Sequence, residues 1–372
     1  MTNSIRKSGV TKRDFMKLAL GASAAMSVPG LIAAPAIAQG RKKVRVGHGI
    51  AVIDPSVAPW DSAGATGNFW QDEGLDVEVT GFQGSALAYQ ALAHGDVDIV
   101  YGGTPDLMRL KEEGAPVKVV ASVYDWNHNF PAVLESSPIK SIEDFRGKKI
   151  GLQSVTGSPI VFLDVLLKAH GMTRKDIAAA ISVGTGAPAI QALQSGQVDV
   201  LEEWEGQYVL MESEFGVKLR KFNKDPILTK NSFVQGASTR DDLIKNDPKM
   251  LTGFLRGVAK GIIFSDANPA AAAKGHYEQF PRSLATNVSR DEAIKKAAGT
   301  IAQNVGISIG SARERRWGIV TGEQVDSTRD VFREADILKK SLPWQDFYDP
   351  QFLKEANNFD MDAVIKKAKS MT

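Results

Sequence analysis

Apolar and polar positions along this chain fall into short alternating blocks. From residue 42 the strand-like runs "KKVRVGH", "LDVEVTGF", "DVDIVYG" and "VKVVASVY" appear in turn. Between them lie "GSALAYQALAHG" and "TPDLMRLKEEG", helix-like stretches that each end in a Gly suited to a left-handed C-cap. Apolar strands divided by single helices predict a parallel sheet covered on both faces. The same grammar restarts with "KKIGLQ", "GSPIVFLDVLLKAHG", "AAAISVG", "APAIQALQSG" and "QVDVLEEW", which predicts a second α/β layer. After Phe233 the pattern turns mainly helical, in amphipathic segments able to pack on the first layer.

An internal echo ties the two layers together. Ala86 to Ile99 reads "ALAYQALAHGDVDI" and Ala187 to Val200 reads "APAIQALQSGQVDV", with eight of fourteen positions identical and no gap. Common descent and convergence on one helix–Gly–strand corner both place equivalent units in two successive sheets.

The first residues follow a different pattern. "TKRDFMKLALGASAAMSVPGLIAAPAIAQG" has a basic start, a weakly apolar middle and the small-x-small site Ala36-Ile37-Ala38. This predicts a removable export signal over 1–38, cleaved after Ala38. Thr11 to Lys17 resembles a twin-arginine motif with Lys12 before Arg13, leaving twin-arginine and general export both open. Cleavage removes five basic residues and one acid from a chain of formal charge +2, leaving a slightly negative mature protein and no electrostatic case for nucleic acid. With no Cys in the chain, disulfides, a lipidated Cys and thiolate metal sites are excluded. The predicted destination is the periplasm, with no membrane insertion after cleavage.

Several ordered segments resemble a known family. They are "GNFWQDEGLDVEVTGFQGSALAYQALAHGDVDIVYGG", "GAPVKVVASV", "SPIKSIEDFRGKKIGLQSVTGS", "LLKAHGM" and "ALQSGQVDV", within about Val44 to Gly261. Together they are similar to the periplasmic substrate-binding proteins of ABC importers for taurine, alkanesulfonates, nitrate and thiamine-pyrimidine precursors. The resemblance implies a two-lobed α/β fold with two crossovers, near Phe130–Leu134 and Ser232–Ser238, and a helical C-terminal region. It divides the chain into 39–130 (lobe I, first part), 131–234 (lobe II) and 235–372 (lobe I, second part). It also implies a monomer that serves a permease and an ATPase, needs no cofactor or metal and is not an enzyme. Fungal pyrimidine-precursor synthases share the fold but carry a Cys-rich motif that this chain lacks, and a periplasmic ligand sensor would look the same in sequence.

Candidate ligand contacts lie where strands run into helices, since ligands of open α/β sheets bind at the carboxyl ends of strands. His48 follows the first strand; Gly84 and Ser85, Gly103 and Thr104, and Ser154, Thr156, Gly157 and Ser158 stand at helix starts. Free N–H groups and hydroxyls there suit a small oxyanion. Trp126 and Trp204 are candidates to stack on a flat ligand, and Phe233 is a further candidate contact. Trp60 carries the same stacking chemistry, and His128 stands near a cleft loop. Of the acids beside Trp204, one is expected to receive a ligand N–H and the others to be solvated or salt-bridged. Glu203 and Glu205 are the candidates, and which of Glu202, Glu203 and Glu205 faces the cleft is left open. Where relatives have Trp, an acid and Pro, this chain has Trp204, Glu205 and Gly206. The expected ligand is a small organic, anionic compound of sulfonate or carboxylate type, amine-bearing or aromatic.

Overall fold

The computed structural model describes residues 40–284 and 288–371. The expected export segment 1–38, with its twin-arginine-like motif and cleavage site, lies outside the described residues.

Among the described residues ten strands form two five-stranded sheets. The first contains β1 (Lys42–His48), β2 (Leu75–Gly81), β3 (Ile99–Gly103), β4 (Val117–Ser122) and β10 (Gln235–Arg240), in the order β2-β1-β3-β10-β4. The second contains β5 (Asn129–Leu134), β6 (Lys149–Leu152), β7 (Ala179–Ser182), β8 (Val200–Trp204) and β9 (Leu219–Lys221), in the order β7-β6-β8-β5-β9. In each sheet the fourth strand is reversed. β10 runs antiparallel to β3 and β4, and β5 runs antiparallel to β8 and β9. Both reversed strands are the first to form after the chain passes from one sheet to the other. The other pairings described are parallel, joined by helices, as the alternating pattern requires.

The sequence echo has a structural counterpart. Its two copies form the helix Ser85–His94 with β3 and the helix Ala187–Gln194 with β8. β3 and β8 are third in the order of their sheets. The first passage between sheets spans 123–128, upstream of Phe130–Leu134, which already lie in β5; the second spans 222–234 and ends at β10.

The first sheet shares one hydrophobic core with the C-terminal helices, among them Pro248–Ala267 and Arg290–Asn304. Two smaller cores cover the two faces of the second sheet. The Pro248–Ala267 helix is held by Trp70, whose ring stacks on Phe254 at 5.6 Å and whose indole N–H donates to the Phe254 carbonyl at 3.0 Å. Among the described residues no helix is long and apolar enough to cross a membrane.

Candidate functional site

Reversal of β5 and β10 puts their first residues beside the last residues of their neighbours. Asn129 stands opposite Trp204 and Gln235 opposite Gly103, so strand starts and strand ends meet at one edge of each sheet. Those edges face each other across a narrow cleft of about 50 Å³, room for a few water molecules, open to solvent at its mouth. Lobe I contributes His48, Gly49, Ile50, Val57, Ser85 and Gln235, and lobe II contributes Asn129, Gln153, Ser158, Pro159, Phe162 and Trp204. Tyr124 and His128 come from the first passage between them.

The polar lining is almost wholly neutral. No Lys or Arg is among these residues. His48 is buried, and its Nδ1 pairs with Asp61 at 2.5 Å, which orients the imidazole toward the cleft wall. His128 is buried with no partner on Nδ1. Behind Tyr124 stands Trp60, edge-on at 4.9 Å, so Trp60 supports the wall and does not line it.

Four of the residues expected from sequence line the cleft: His48, Ser85, Ser158 and Trp204. The hydroxyls are already engaged. Ser85 Oγ accepts the Gly103 N–H at 3.0 Å, and Ser158 Oγ donates to Asp106 across the lobe boundary at 2.6 Å. Asp106 also accepts from Arg109 at 2.7 Å. The start of the Ser158–Ala169 helix, a natural place for a ligand anion, therefore faces a carboxylate of the protein itself. Gly84 (φ 102°) and Gly157 (φ 75°) hold the two helix starts in conformations that other residues rarely adopt.

The remaining expected residues fall elsewhere. Thr104 is fully buried and donates its hydroxyl to the Phe233 carbonyl, pinning the end of the second passage. Phe233 is a core residue edge-on to Tyr348. Ser154 and Thr156 hydrogen-bond each other at 3.0 Å, and Thr156 is exposed. Trp126 is exposed and its side chain bonds Glu205, whose backbone N–H donates to His128. Gly206 stands in the first turn of the Glu205–Phe215 helix, where an added Cβ would meet Asn304 at 2.7 Å. Glu203 is buried with neither carboxylate oxygen bonded, and burial pushes its pKa well up, with Glu202 and Asp54 nearby adding to the shift.

One connection escaped the sequence reading. Gln207 of lobe II accepts the Gly186 N–H at 2.9 Å and donates to Asp54 of lobe I at 2.9 Å. Gln153 likewise donates across the boundary to the Gly49 carbonyl at 3.1 Å. No local pattern marks a Gln as an interlobe clasp. Among the described residues no group of three or more His, Cys, Asp and Glu is placed to hold a metal.

The buried imidazoles set a pH dependence. Burial lowers His128 to about 3 and His276 to about 4, so both stay neutral in the fold. The unfolded chain protonates them near pH 6.5 and so binds more protons than the folded one below that value. Stability is therefore lost as pH falls from 6.5 toward 4, by about 1.4 kcal/mol per pH unit for each such group. His128→Asn is expected to flatten the fall of melting temperature over that range. Parallel melting profiles for variant and parent would contradict this.

With the geometry described, the relatives can be compared. The model of the NMT1/THI5 like family matches residues 62–272, more than half of the chain. The chain belongs to that family. A NMT1/THI5 like relative named as a putative thiamine biosynthesis protein, from Haemophilus influenzae, is 26% identical over 232 residues, covering 60% of this chain and 69% of that protein. The riboflavin-binding protein RibY of Chloroflexus aurantiacus is 22% identical and covers 80% of this chain and 82% of its own length. A 4-amino-5-hydroxymethyl-2-methylpyrimidine phosphate synthase of Saccharomyces cerevisiae is 24% identical over 58% of this chain and 66% of its own. Among solved structures, the periplasmic aliphatic sulphonate binding protein SsuA of Escherichia coli superposes with a TM-score of 0.59 at 17% identity, over 82% of this chain and 91% of that one. These superpositions show that this NMT1/THI5 like chain has the two-lobed periplasmic binding protein fold.

Proposed function

We propose that this chain is the extracytoplasmic substrate-binding component of an ABC importer. In this reading it is exported, works in the periplasm as a monomer and hands a small flat nitrogen heterocycle, neutral or cationic, to a permease driven by an ATPase. One observation carries the ligand class. The cleft offers imidazole, amide, hydroxyl and aromatic groups with no Lys or Arg, and the buried acids Asp61 and Asp106 stand behind it, bonded to His48 and Ser158. A buried anion without a cationic partner or a full set of donors is costly, whereas a ring with N–H donors and acceptors matches amides and imidazoles and stacks on Trp204 and Tyr124. Ser158, the hydroxyl expected to hold an oxyanion, is bonded to Asp106. The riboflavin-binding relative and the aminopyrimidine phosphate synthase both handle flat nitrogen heterocycles by name, which supports the same class. The synthase makes catalysis the second reading, and recovery of an altered compound after incubation would favour it.

A thermal-shift series of pyrimidines, flavins, aliphatic and aromatic sulfonates, aromatic carboxylates and nitrate tests the assignment. Binding to the native state alone stabilises it by about 2.7 kcal/mol at a hundred times Kd, so a nitrogen heterocycle is expected to raise the melting temperature by several degrees. If only sulfonates, carboxylates or nitrate raise it, the ligand class is wrong.

A further inference from the structure

Behind the cleft lies a second, tighter chamber of about 10 Å³, room for one water-sized group. Asn129 and Phe162 line both spaces and form the wall between them. Strand geometry sets what lies on each side of this wall. Side chains two apart on a strand share a face, so Glu202 and Trp204 point the same way from β8. Their partners across the ladder are Pro131 and Asn129. Trp204 lines the cleft and Glu202 lines the chamber, about 7 Å further along the strand. That separation is the span of a six-membered ring with a one-carbon arm.

The chamber presents acceptors. Glu202 is only 3% exposed and its Oε2 has no hydrogen-bond partner; Asn231 is 2% exposed and its Oδ1 has none. Asn127, on the same wall, already accepts the Asn129 N–H at 2.9 Å. The other lining residues are Pro131, Phe162, Val165, Leu166, Ile227 and Leu228, with Asn129, and none is cationic. Two acceptor oxygens stand unpaired in an apolar shell, and burial pushes the Glu202 pKa well up, so a donor with positive charge supplies the partner that keeps its carboxylate ionised. A single carboxylate with amides is a poor cage for a hard metal ion, which takes six to eight oxygens when it is calcium. An ammonium group brings three donors in a small head.

We infer that this chamber is a subsite for a primary ammonium or amidinium arm of the ligand, with N–H groups donated to Glu202 and Asn231. The inference rests on the cleft reading above and narrows its ligand class to a ring bearing a short basic arm. Because the chamber lies between the two interlobe passages, an arm seated there contacts both and favours the closed lobes.

Methylammonium tests the chamber without a ring. Glutamate-carboxyl ¹³C NMR of the full mature chain is expected to show one buried signal moving saturably with methylammonium, and that signal is absent from Glu202→Gln. No saturable shift overturns the inference, and an equal shift with sodium overturns it in favour of a simple cation site. A matched pair then tests the ligand: 5-aminomethyl-2-methylpyrimidine against 2,5-dimethylpyrimidine. The parent protein is expected to prefer the amine by about tenfold, as a charge-assisted pair allows. Glu202→Gln should reduce the preference to within twofold, and Asn231→Asp should increase it. A preference that survives Glu202→Gln, or none in the parent, overturns the inference. If neither pyrimidine binds while methylammonium does, the ring assignment of the cleft has failed and the chamber stands.

Discussion

Gly103→Ala is expected to weaken ligand binding about 30–100-fold, the loss of two or three second-lobe hydrogen bonds, with little change in melting temperature in the absence of ligand. Gly103 has an ordinary extended backbone (φ −64°, ψ 135°), so Ala brings no conformational strain. Its Cβ would, however, lie 2.0 Å from Ser158 Oγ and 2.4 Å from Ser158 Cβ in the closed arrangement. Gly103 belongs to lobe I and Ser158 to lobe II, so the clash is relieved by opening the cleft and not by unfolding. Scattering at saturating ligand should show the parent more compact than the variant. Adding Ser158→Gly removes both clashing atoms and is expected to restore compaction, which a merely misfolded variant would not do. A variant that binds within threefold of the parent would show that closure tolerates the contact.

Trp70→Ala is expected to destabilise the fold by about 3–5 kcal/mol, the usual range for deleting a buried large aromatic. The indole sits in a slot whose walls include two glycines. A Cβ added at Gly257 would be 2.1 Å from its ring and one at Gly64 would be 2.7 Å away. It also stacks on Phe254 and bonds that residue's carbonyl, joining the Pro248–Ala267 helix to lobe I. Removing it leaves a cavity that the glycine-lined backbones cannot fill and takes away the indole's hydrogen bond to the Phe254 carbonyl. Denaturant unfolding should show a lower midpoint with an unchanged slope. A loss below about 1 kcal/mol would mean that the slot collapses around the smaller side chain.

Much of the fold was legible in the chain. The alternation of apolar strands with Gly-ended helices determined two α/β layers, and the echo between Ala86–Ile99 and Ala187–Val200 marked the units that become the third strands of both sheets. Such features are local. Hydrophobic period and turn chemistry act over a few residues, so a linear reading recovers them. Of the residues the same reading named, His48, Ser85, Ser158 and Trp204 line the cleft between the sheets.

The pairing of the polar groups on those loops was settled only by the tertiary structure. Thr104, Ser158 and Ser85 look alike in sequence, each a hydroxyl at a helix start. Thr104 is bonded to Phe233, 129 residues away, and Ser158 to Asp106, 52 residues away. Glu202 and Glu203 are neighbours in the chain, yet strand alternation sends them to opposite faces of β8. Glu202 enters the chamber with Asn231, while Glu203 feels the charge of Asp54. A buried polar atom is satisfied by whatever the fold brings within about 3 Å. The ligand-facing chemistry therefore depends on long-range register and lobe contact, which the local pattern that builds strands and helices does not carry.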